Sequence, residues 1–413
     1  MSTCTICRGR LNQERSFDYA APESDCQYCL GLFSTIGKQF TDAITSSGYE
    51  DIYDVSVCLK LCPSLTLRSI LESRISPVTD FKEAVKIHLN SLINLEISPS
   101  PAPMPALKID VELTMTPPSP ALCKLRSARD VNDALLKSDD LEICSRLGLS
   151  TLPDGLANPT DAKIEAKISI NRDSLFLLGK YRKISREISQ SVWLLPEVEY
   201  KPLSSVEEIA LEFVTSYFQV AEPLSAKFSA SGREDVDVRM LGTGRDFVLE
   251  ISNLKKLRNF HKPIPDFNHP QSVEINSLRV VDNRVGLWLN HCAETHTKTY
   301  VCIVWSKCCI THCDLDRLSQ LKNIVLKQWT PVRTLHRRPN IERKRTLHSI
   351  SAEWISGNFF KLNLETAAGL YVKEFVHGDF GRTEPSLADL LEIPGNICDI
   401  LQLDVLGIED QSY

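Results

Sequence analysis

Three acids and three arginines crowd into Ser231-Gly232-Arg233-Glu234-Asp235-Val236-Asp237-Val238-Arg239-Met240-Leu241-Gly242-Thr243-Gly244-Arg245. An arginine beside an aspartate keeps that carboxylate ionised and aimed. Glycines near both ends let a loop approach a ligand closely. The pattern suits an acidic catalytic loop with a phosphate-friendly rim. A surface ion-pair hairpin has the same composition, so the string alone decides nothing.

Two further stretches bear on the choice. Residues 331–350 carry Arg333, Arg337, Arg338, Arg343, Lys344 and Arg345 against the single acid Glu342, a local charge of +5. Such a run can neutralise phosphates, and it also fits a solvated helix face or a nuclear-import signal. In Ala368-Gly369-Leu370-Tyr371-Val372-Lys373-Glu374-Phe375-Val376-His377-Gly378-Asp379, a strand reading puts Tyr371 and Lys373 on one face. An aromatic and a cation together suit an extruded base and its phosphate. An ordinary edge strand is the bland alternative.

Cys4-x2-Cys7 and Cys26-x2-Cys29, separated by 18 residues, have the spacing of a four-thiolate zinc site. Four thiolates leave no open position, so such a zinc is structural and supplies folding energy to a short segment. A redox dithiol or chance pairs are the alternatives. The later group His291, Cys292, Cys302, Cys308, Cys309, His312 and Cys313 lacks matched knuckles. Cys302 lies in the apolar run 299–305, where cysteine behaves as a small buried hydrophobe.

The elements that must hold these groups follow from pattern. At 413 residues the chain has material for two or three domains. The segments expected are a cysteine module over 1–35, an α+β region over 36–195 and a second α+β domain over 200–413. Ser98-Pro99-Ser100-Pro101-Ala102-Pro103-Met104-Pro105 interrupts the middle segment as an exposed loop. Helices are expected over 80–95, from the cap at Ser204-Ser205 to Phe218, and over 314–324. Strands are expected over 107–113, 246–251, 273–278, 299–305, 359–364, 371–375 and 400–405. Strands outnumber helices in the last domain without βαβ alternation, which predicts a mixed, mostly antiparallel sheet with flanking helices.

The net charge of −6 does not itself suggest nucleic-acid binding, although a local basic surface can provide it. No run of about 18 apolar residues occurs, so no membrane partner is expected. The first residues lack an apolar leader, so secretion is not expected, and the fourteen cysteines read as reduced thiols or metal ligands. The expected location is the nucleus, the cytoplasm or both.

Taken together, SASGREDVDVRMLGTGR, TPVRTLHRRP with its trailing RKR, and AGLYVKEFVHGDFGRTEPSL leading into ILQLDV resemble the Pus-ten family of archaeal and eukaryotic tRNA pseudouridine synthases. Gly179-Lys180-Tyr181-Arg182-Lys183-Ile184-Ser185-Arg186 with Gln190 and Trp193 adds to the likeness, as do the paired knuckles. The resemblance covers roughly 1–35 and 175–410 and extends to 36–170 only in general pattern. Asp246 stands where the family pattern has proline.

The resemblance implies an α+β pseudouridine synthase domain preceded by a zinc-bearing, THUMP-like RNA-binding domain. The implied substrate is a uridine in the TΨC arm of tRNA, at position 54 or 55 or both. Asp235 matches the nucleophilic aspartate, Tyr371 the tyrosine stacked on the target base, and Lys373 the basic partner, with Arg239 as a second cation that would lower the aspartate's pKa. Arg233, Arg337, Arg338, Tyr181, Lys183 and Arg186 are the expected substrate-binding residues, and Cys4, Cys7, Cys26 and Cys29 the metal ligands. The reaction implied needs no cofactor, and the chain is expected to act as a monomer. Two other classes compete: a non-catalytic RNA-binding adaptor, and a metallo-hydrolase built on the His291–Cys313 group. An adaptor has no need of the trio of Asp235, Tyr371 and a nearby cation, which favours the enzyme.

Overall fold

The computed structural model describes residues 4–11, 26, 28–50, 54–62, 65–66, 69, 79–93, 105–116, 163–192, 204–219, 225–252, 254–256, 259 and 262–408. The proline-rich run up to Met104 and Trp193 lie outside them. The chain divides into one unit of residues 1–173 with 253–257 and another of 174–252 with 258–413.

The first unit contains α1 (Thr5–Leu11), α2 (Leu32–Ser46), β1 (Val55–Leu61), α3 (Phe81–Ser91), β2 (Leu107–Thr116) and β3 (Lys163–Arg172). Its sheet has the order β1-β2-β3, with β1 parallel to β2 and β3 antiparallel to it. Strict alternation in β2 buries Leu107, Ile109, Val111, Leu113 and Met115 on one face. In α2 the buried residues are Leu32, Phe33, Ile36 and Phe40, the three-to-four spacing of a helix stripe. Asp80 caps α3 through the Glu83 amide at 3.3 Å. The four knuckle cysteines belong to this same core.

The second unit runs β4 (Leu175–Lys183), α4 (Val206–Tyr217), β5 (Ser225–Ala230), β6 (Arg239–Ser252), β7 (Phe267–His269), β8 (Val273–Val281), α5 (Val285–Thr295), β9 (Lys298–Ser306), α6 (His312–Ser319), β10 (Lys322–Trp329), β11 (Glu342–Ser356), β12 (Phe359–Thr366), α7 (Val372–His377), β13 (Thr383–Glu384), α8 (Leu387–Leu391) and β14 (Cys398–Ile408). Eleven strands form one sheet in the order β13-β10-β11-β12-β9-β14-β6-β4-β8-β7, with β5 also on β6. The β14–β6 pair is parallel and the others are antiparallel, so the mixed, mostly antiparallel sheet expected from sequence is the one found. Strand β6 is central: its first residues pair with β14, and its later ones with β4 and β5. Gly242 sits at φ 58°, and a Cβ there would lie 1.5 Å from the Leu406 carbonyl oxygen, so only glycine lets β6 and β14 converge.

Three expectations need correction. The units part at Asp173/Ser174 rather than at 195, because β4 pairs with β6 from Leu175 to Lys183 and so belongs to the large sheet. Helix α6 ends at Ser319, and residues 322–324 open β10. Residues 371–375 are not a strand: Tyr371 is the N-cap of α7, and Gly378 at φ 77° closes that helix.

Candidate active site

The loop 231–238 joins β5 to β6, and its shape depends on which of its acids is buried. Glu234 is 5% exposed. Its carboxylate accepts hydrogen bonds from the Tyr181 hydroxyl at 2.7 and 2.9 Å, and Arg245 Nε lies 3.0 Å from it as a close ion pair. Gln190 Nε2 donates to the same tyrosine oxygen at 2.7 Å and to the Gly232 carbonyl at 2.9 Å. Arg245 also donates to the Ser231 carbonyl at 3.0 Å, and Lys183 Nζ to the Val236 carbonyl at 2.7 Å. Arg186 reaches the Asp237 carbonyl at 2.8 Å. Gly232, at φ 119°, has Arg245 Nη1 2.5 Å from where a Cβ would stand. A side chain there would collide with the clamp.

With Glu234 drawn inward, Asp235 is left on the wall of a cleft of about 450 Å³. Arg333 Nη1 lies 3.0 and 3.3 Å from its two oxygens, and Lys373 Nζ 3.1 Å from one of them. Burial raises the carboxyl's pKa, but the charges of Arg333 and Lys373 outweigh it, so the net shift is downward. Each cation is itself held. Arg333 Nε donates to Glu374 at 2.7 Å, and the Glu374 side chain is 1% exposed. Lys373 also donates to Asp237 at 2.8 and 2.9 Å. Asp237 therefore shares a cation with Asp235, and the chain turns between them.

The residues named from sequence divide into two sets. Asp235, Tyr371, Lys373, Arg233, Arg337 and Arg338 all line the cleft. Tyr371 does so from a helix cap, where Gln328 fixes its backbone by accepting from its N–H at 3.0 Å and donating to its carbonyl at 2.9 Å. Its hydroxyl lies 3.4 Å from Arg338 Nη1. Arg239 is not beside Asp235. It pairs with Asp404 on the adjacent β14, Nε at 2.9 Å, and Arg186 meets the same carboxylate. Tyr181 and Lys183 are fully buried and hold the loop 231–238 through Glu234 and the Val236 carbonyl. Arg186 has the same supporting role.

Sequence reasoning missed Glu234, Gln190, Arg245, Gln328, Glu374 and the role of Arg333 at Asp235. It also missed Tyr300 and Lys298, both of which line the cleft from β9. Burial lowers the Lys298 pKa to about 8. One spacing carried some signal: Lys298-Thr299-Tyr300 sets a cation and an aromatic two apart at the start of a strand.

In the first unit Cys4, Cys7, Cys26 and Cys29 are buried and their sulfurs all lie within 4.8 Å of one another. The Cys4 and Cys29 sulfurs are 3.8 Å apart. A tetrahedron with metal–sulfur distances of about 2.3 Å has edges of about 3.8 Å, so the donor set fits a metal ion. Cys292 and Cys302, by contrast, are buried on α5 and β9 and belong to no such ligand cluster among the described residues.

Residues 176–409 match the family described as Pus10, C-terminal. A Xenopus laevis tRNA pseudouridine synthase Pus10 is 37% identical over 246 residues, covering 59% of this chain and 46% of that protein. A Thermofilum pendens protein of the same name is 36% identical over 247 residues, covering 59% and 54%. A Drosophila melanogaster putative tRNA pseudouridine synthase Pus10 is 30% identical over 431 aligned positions, covering 93% of this chain and 83% of that one. The chain thus spans about half the length of the vertebrate relatives it matches. Among solved structures, a Cbf5–Nop10–Gar1 complex aligns at 11% identity and TM-score 0.28 over 55% of this chain and 47% of that one.

Proposed function

The chain belongs to the Pus10 family, and from that premise we propose that it isomerises uridine to pseudouridine in tRNA, in the TΨC arm, with Asp235 as the reacting group. The observation that carries the reading is the asymmetry of the catalytic loop. Glu234 is locked inward, while its neighbour Asp235 is ionised between Arg333 and Lys373 on a cleft wall. The isomerisation breaks the N1–glycosidic bond and remakes the link through C5; C5 loses its proton and N1 gains one, with no net redox change. A target uridine must leave its stack to present itself to Asp235, and Tyr371 or Tyr300 offers the detached ring an aromatic face. The two cations hold the carboxylate charged and oriented before substrate arrives, so little reorganisation remains at reaction.

Arg233, Arg337 and Arg338 supply positive charge on the cleft rim, suited to phosphates flanking the target. The four-cysteine group would hold a structural zinc, and the unit that carries it would serve as a THUMP-like RNA-binding domain. The nucleus, the cytoplasm or both is the proposed location, and a monomer the proposed active form. The test is to incubate the purified chain with an unmodified tRNA transcript and map pseudouridine at each uridine. Pseudouridine at one or both of positions 54 and 55 supports the reading, and a transcript with none excludes it.

A further inference from the structure

Behind α7 the chain makes a tight excursion over 378–382 that the catalytic chemistry does not use. Asp379 (φ 45°, ψ 48°) and Phe380 (φ 59°, ψ 37°) are both left-handed, and neither is glycine. A side chain in this region crowds the backbone, and a bulky residue there is a rare outlier. The strain is maintained by bonds. The Asp379 amide donates to His377 Nδ1 at 3.1 Å, and its carboxylate accepts from the Val332 amide at 3.2 Å. Arg382 donates to the Thr330 carbonyl at 2.9 Å, accepts from the Trp329 amide at 3.0 Å and stacks its guanidinium over the Trp329 ring at 6.0 Å. These contacts fasten the excursion to segment 329–340, the segment that bears Arg333, Arg337 and Arg338.

The outcome is an aromatic ring with nothing to pack on. Phe380 is 94% exposed, the most exposed of the large apolar side chains among the described residues. Trp329 and Val332 on the attached segment are also exposed, at 39% and 45%. Burial cannot be the reason for a phenylalanine here, and a backbone outlier that the surroundings enforce points to a task. Bare aromatic faces set among arginines are the composition that binds unpaired nucleic acid: the rings stack on bases while the cations follow the backbone.

We propose that Phe380 is a stacking platform for an unpaired nucleobase of the RNA substrate, a base other than the target, held in place by the strained excursion and its bonds to the arginine segment. The inference rests on the proposed action on tRNA and specifies a contact outside the cleft. Phenylalanine offers no hydrogen-bonding group, so the platform reads a base by its face and tolerates any base there.

The test compares Phe380→Ala, Phe380→Trp and Phe380→Gly in the full chain, using an unmodified tRNA transcript. Phe380→Ala should weaken tRNA binding by about tenfold or more, and Phe380→Trp should stay within roughly twofold of wild type. The slope of affinity against salt should be unchanged in both, since a neutral ring releases no counterion. Phe380→Gly should bind as weakly as Phe380→Ala while melting at or above the wild-type temperature, because glycine adopts the left-handed region without strain. Wild-type affinity in Phe380→Ala overturns the proposal, as does an unchanged affinity coupled with lost self-association, which would assign the ring to a second copy of the chain. Pseudouridine formation by the wild type is scored separately. If it occurs and Phe380→Ala binds normally, only the platform fails; if it is absent, the proposed function fails, whatever the Phe380 variants do.

Discussion

The two units hold their key side chains together in opposite ways. In the first, four cysteines from a span of 26 residues bring buried sulfurs within 4.8 Å of one another. In the second, Asp235 meets Arg333 across 98 positions and Lys373 across 138. The first is a short-range cluster that a metal can complete. The second depends on a whole sheet being formed, because the loop into β6, the segment after β10 and α7 each deliver one member. A local cluster fails locally, and a long-range one fails with the fold around it.

Cys4→Ser with Cys7→Ser should separate them most clearly. Two missing ligands cannot hold a tetrahedral site, and its binding energy is also folding energy. Bound zinc should fall by about one per chain and the first unit should unfold, while residues 174–252 and 258–413 keep their cooperative melting transition. Metal content by atomic emission and a melting curve measure both, and unchanged zinc would remove the four cysteines from consideration.

Glu234→Gln attacks the long-range cluster at its buried anchor. Removing one partner of a buried ion pair costs about 3–5 kcal/mol. Arg245 would be left buried beside a neutral amide, and the loop over Gly232 would lose its tether. Chemical denaturation should show a loss of that order, with pseudouridine formation reduced alongside. A change under about 0.5 kcal/mol, the range of ordinary surface substitutions, would mean that the loop is held by its backbone alone.

Arg337→Ala with Arg338→Ala should affect the rim and spare the clamp. The slope of log affinity against log salt should become shallower by about 1–2 units if both arginines contact phosphate. Single-turnover rates at saturating enzyme should change little. An unchanged slope would make the basic run a solvated face or an import signal.

The smallest effect expected is with pH. A carboxyl whose folded pKa is depressed contributes stability above its unfolded value, about 3.9, and loses it as pH falls through the folded value. Asp235 follows this case, so its ionisation should give no step in rate between pH 6 and 8. Lys298, with its pKa lowered to about 8, is charged below that pH and neutral above it. Affinity for tRNA should therefore slip as pH rises through 8, by less than about tenfold, a change worth 1.4 kcal/mol. Lys298→Met should abolish that step.

Much of the fold could be read from the sequence wherever a pattern was long. The alternation in β2, the helix stripe before Ser91 and the capped start of α4 all have enough residues to set a period. Residues 371–375 do not, since five residues fit either a strand or a turn and a half of helix, and the glycine that ends α7 was the better signal. The clustering of the four cysteines and the place of Asp235 on the cleft wall were legible because their signals are local strings. Arg239 was expected beside Asp235 as a basic neighbour, whereas its place is decided by the β6–β14 pairing that hands it to Asp404. Tyr181, Lys183 and Arg186 were expected to bind substrate because the string that holds them resembles the family, and a string carries no burial. Only tertiary structure reveals the carbonyls and carboxylates that make the burial of Tyr181 and Lys183 tolerable and that engage the half-buried Arg186.

In the proposed function one of two adjacent acids, Asp235, does the chemistry while the other, Glu234, holds it in place. Single-turnover pseudouridine formation by Asp235→Asn, with Asp237→Asn as its companion, tests this directly on tRNA bound by excess enzyme. The account predicts no product from Asp235→Asn, with tRNA affinity within about tenfold of wild type, since one neutral isostere removes the reacting group but few phosphate contacts, and residual product from Asp237→Asn. Substantial turnover by Asp235→Asn would contradict it.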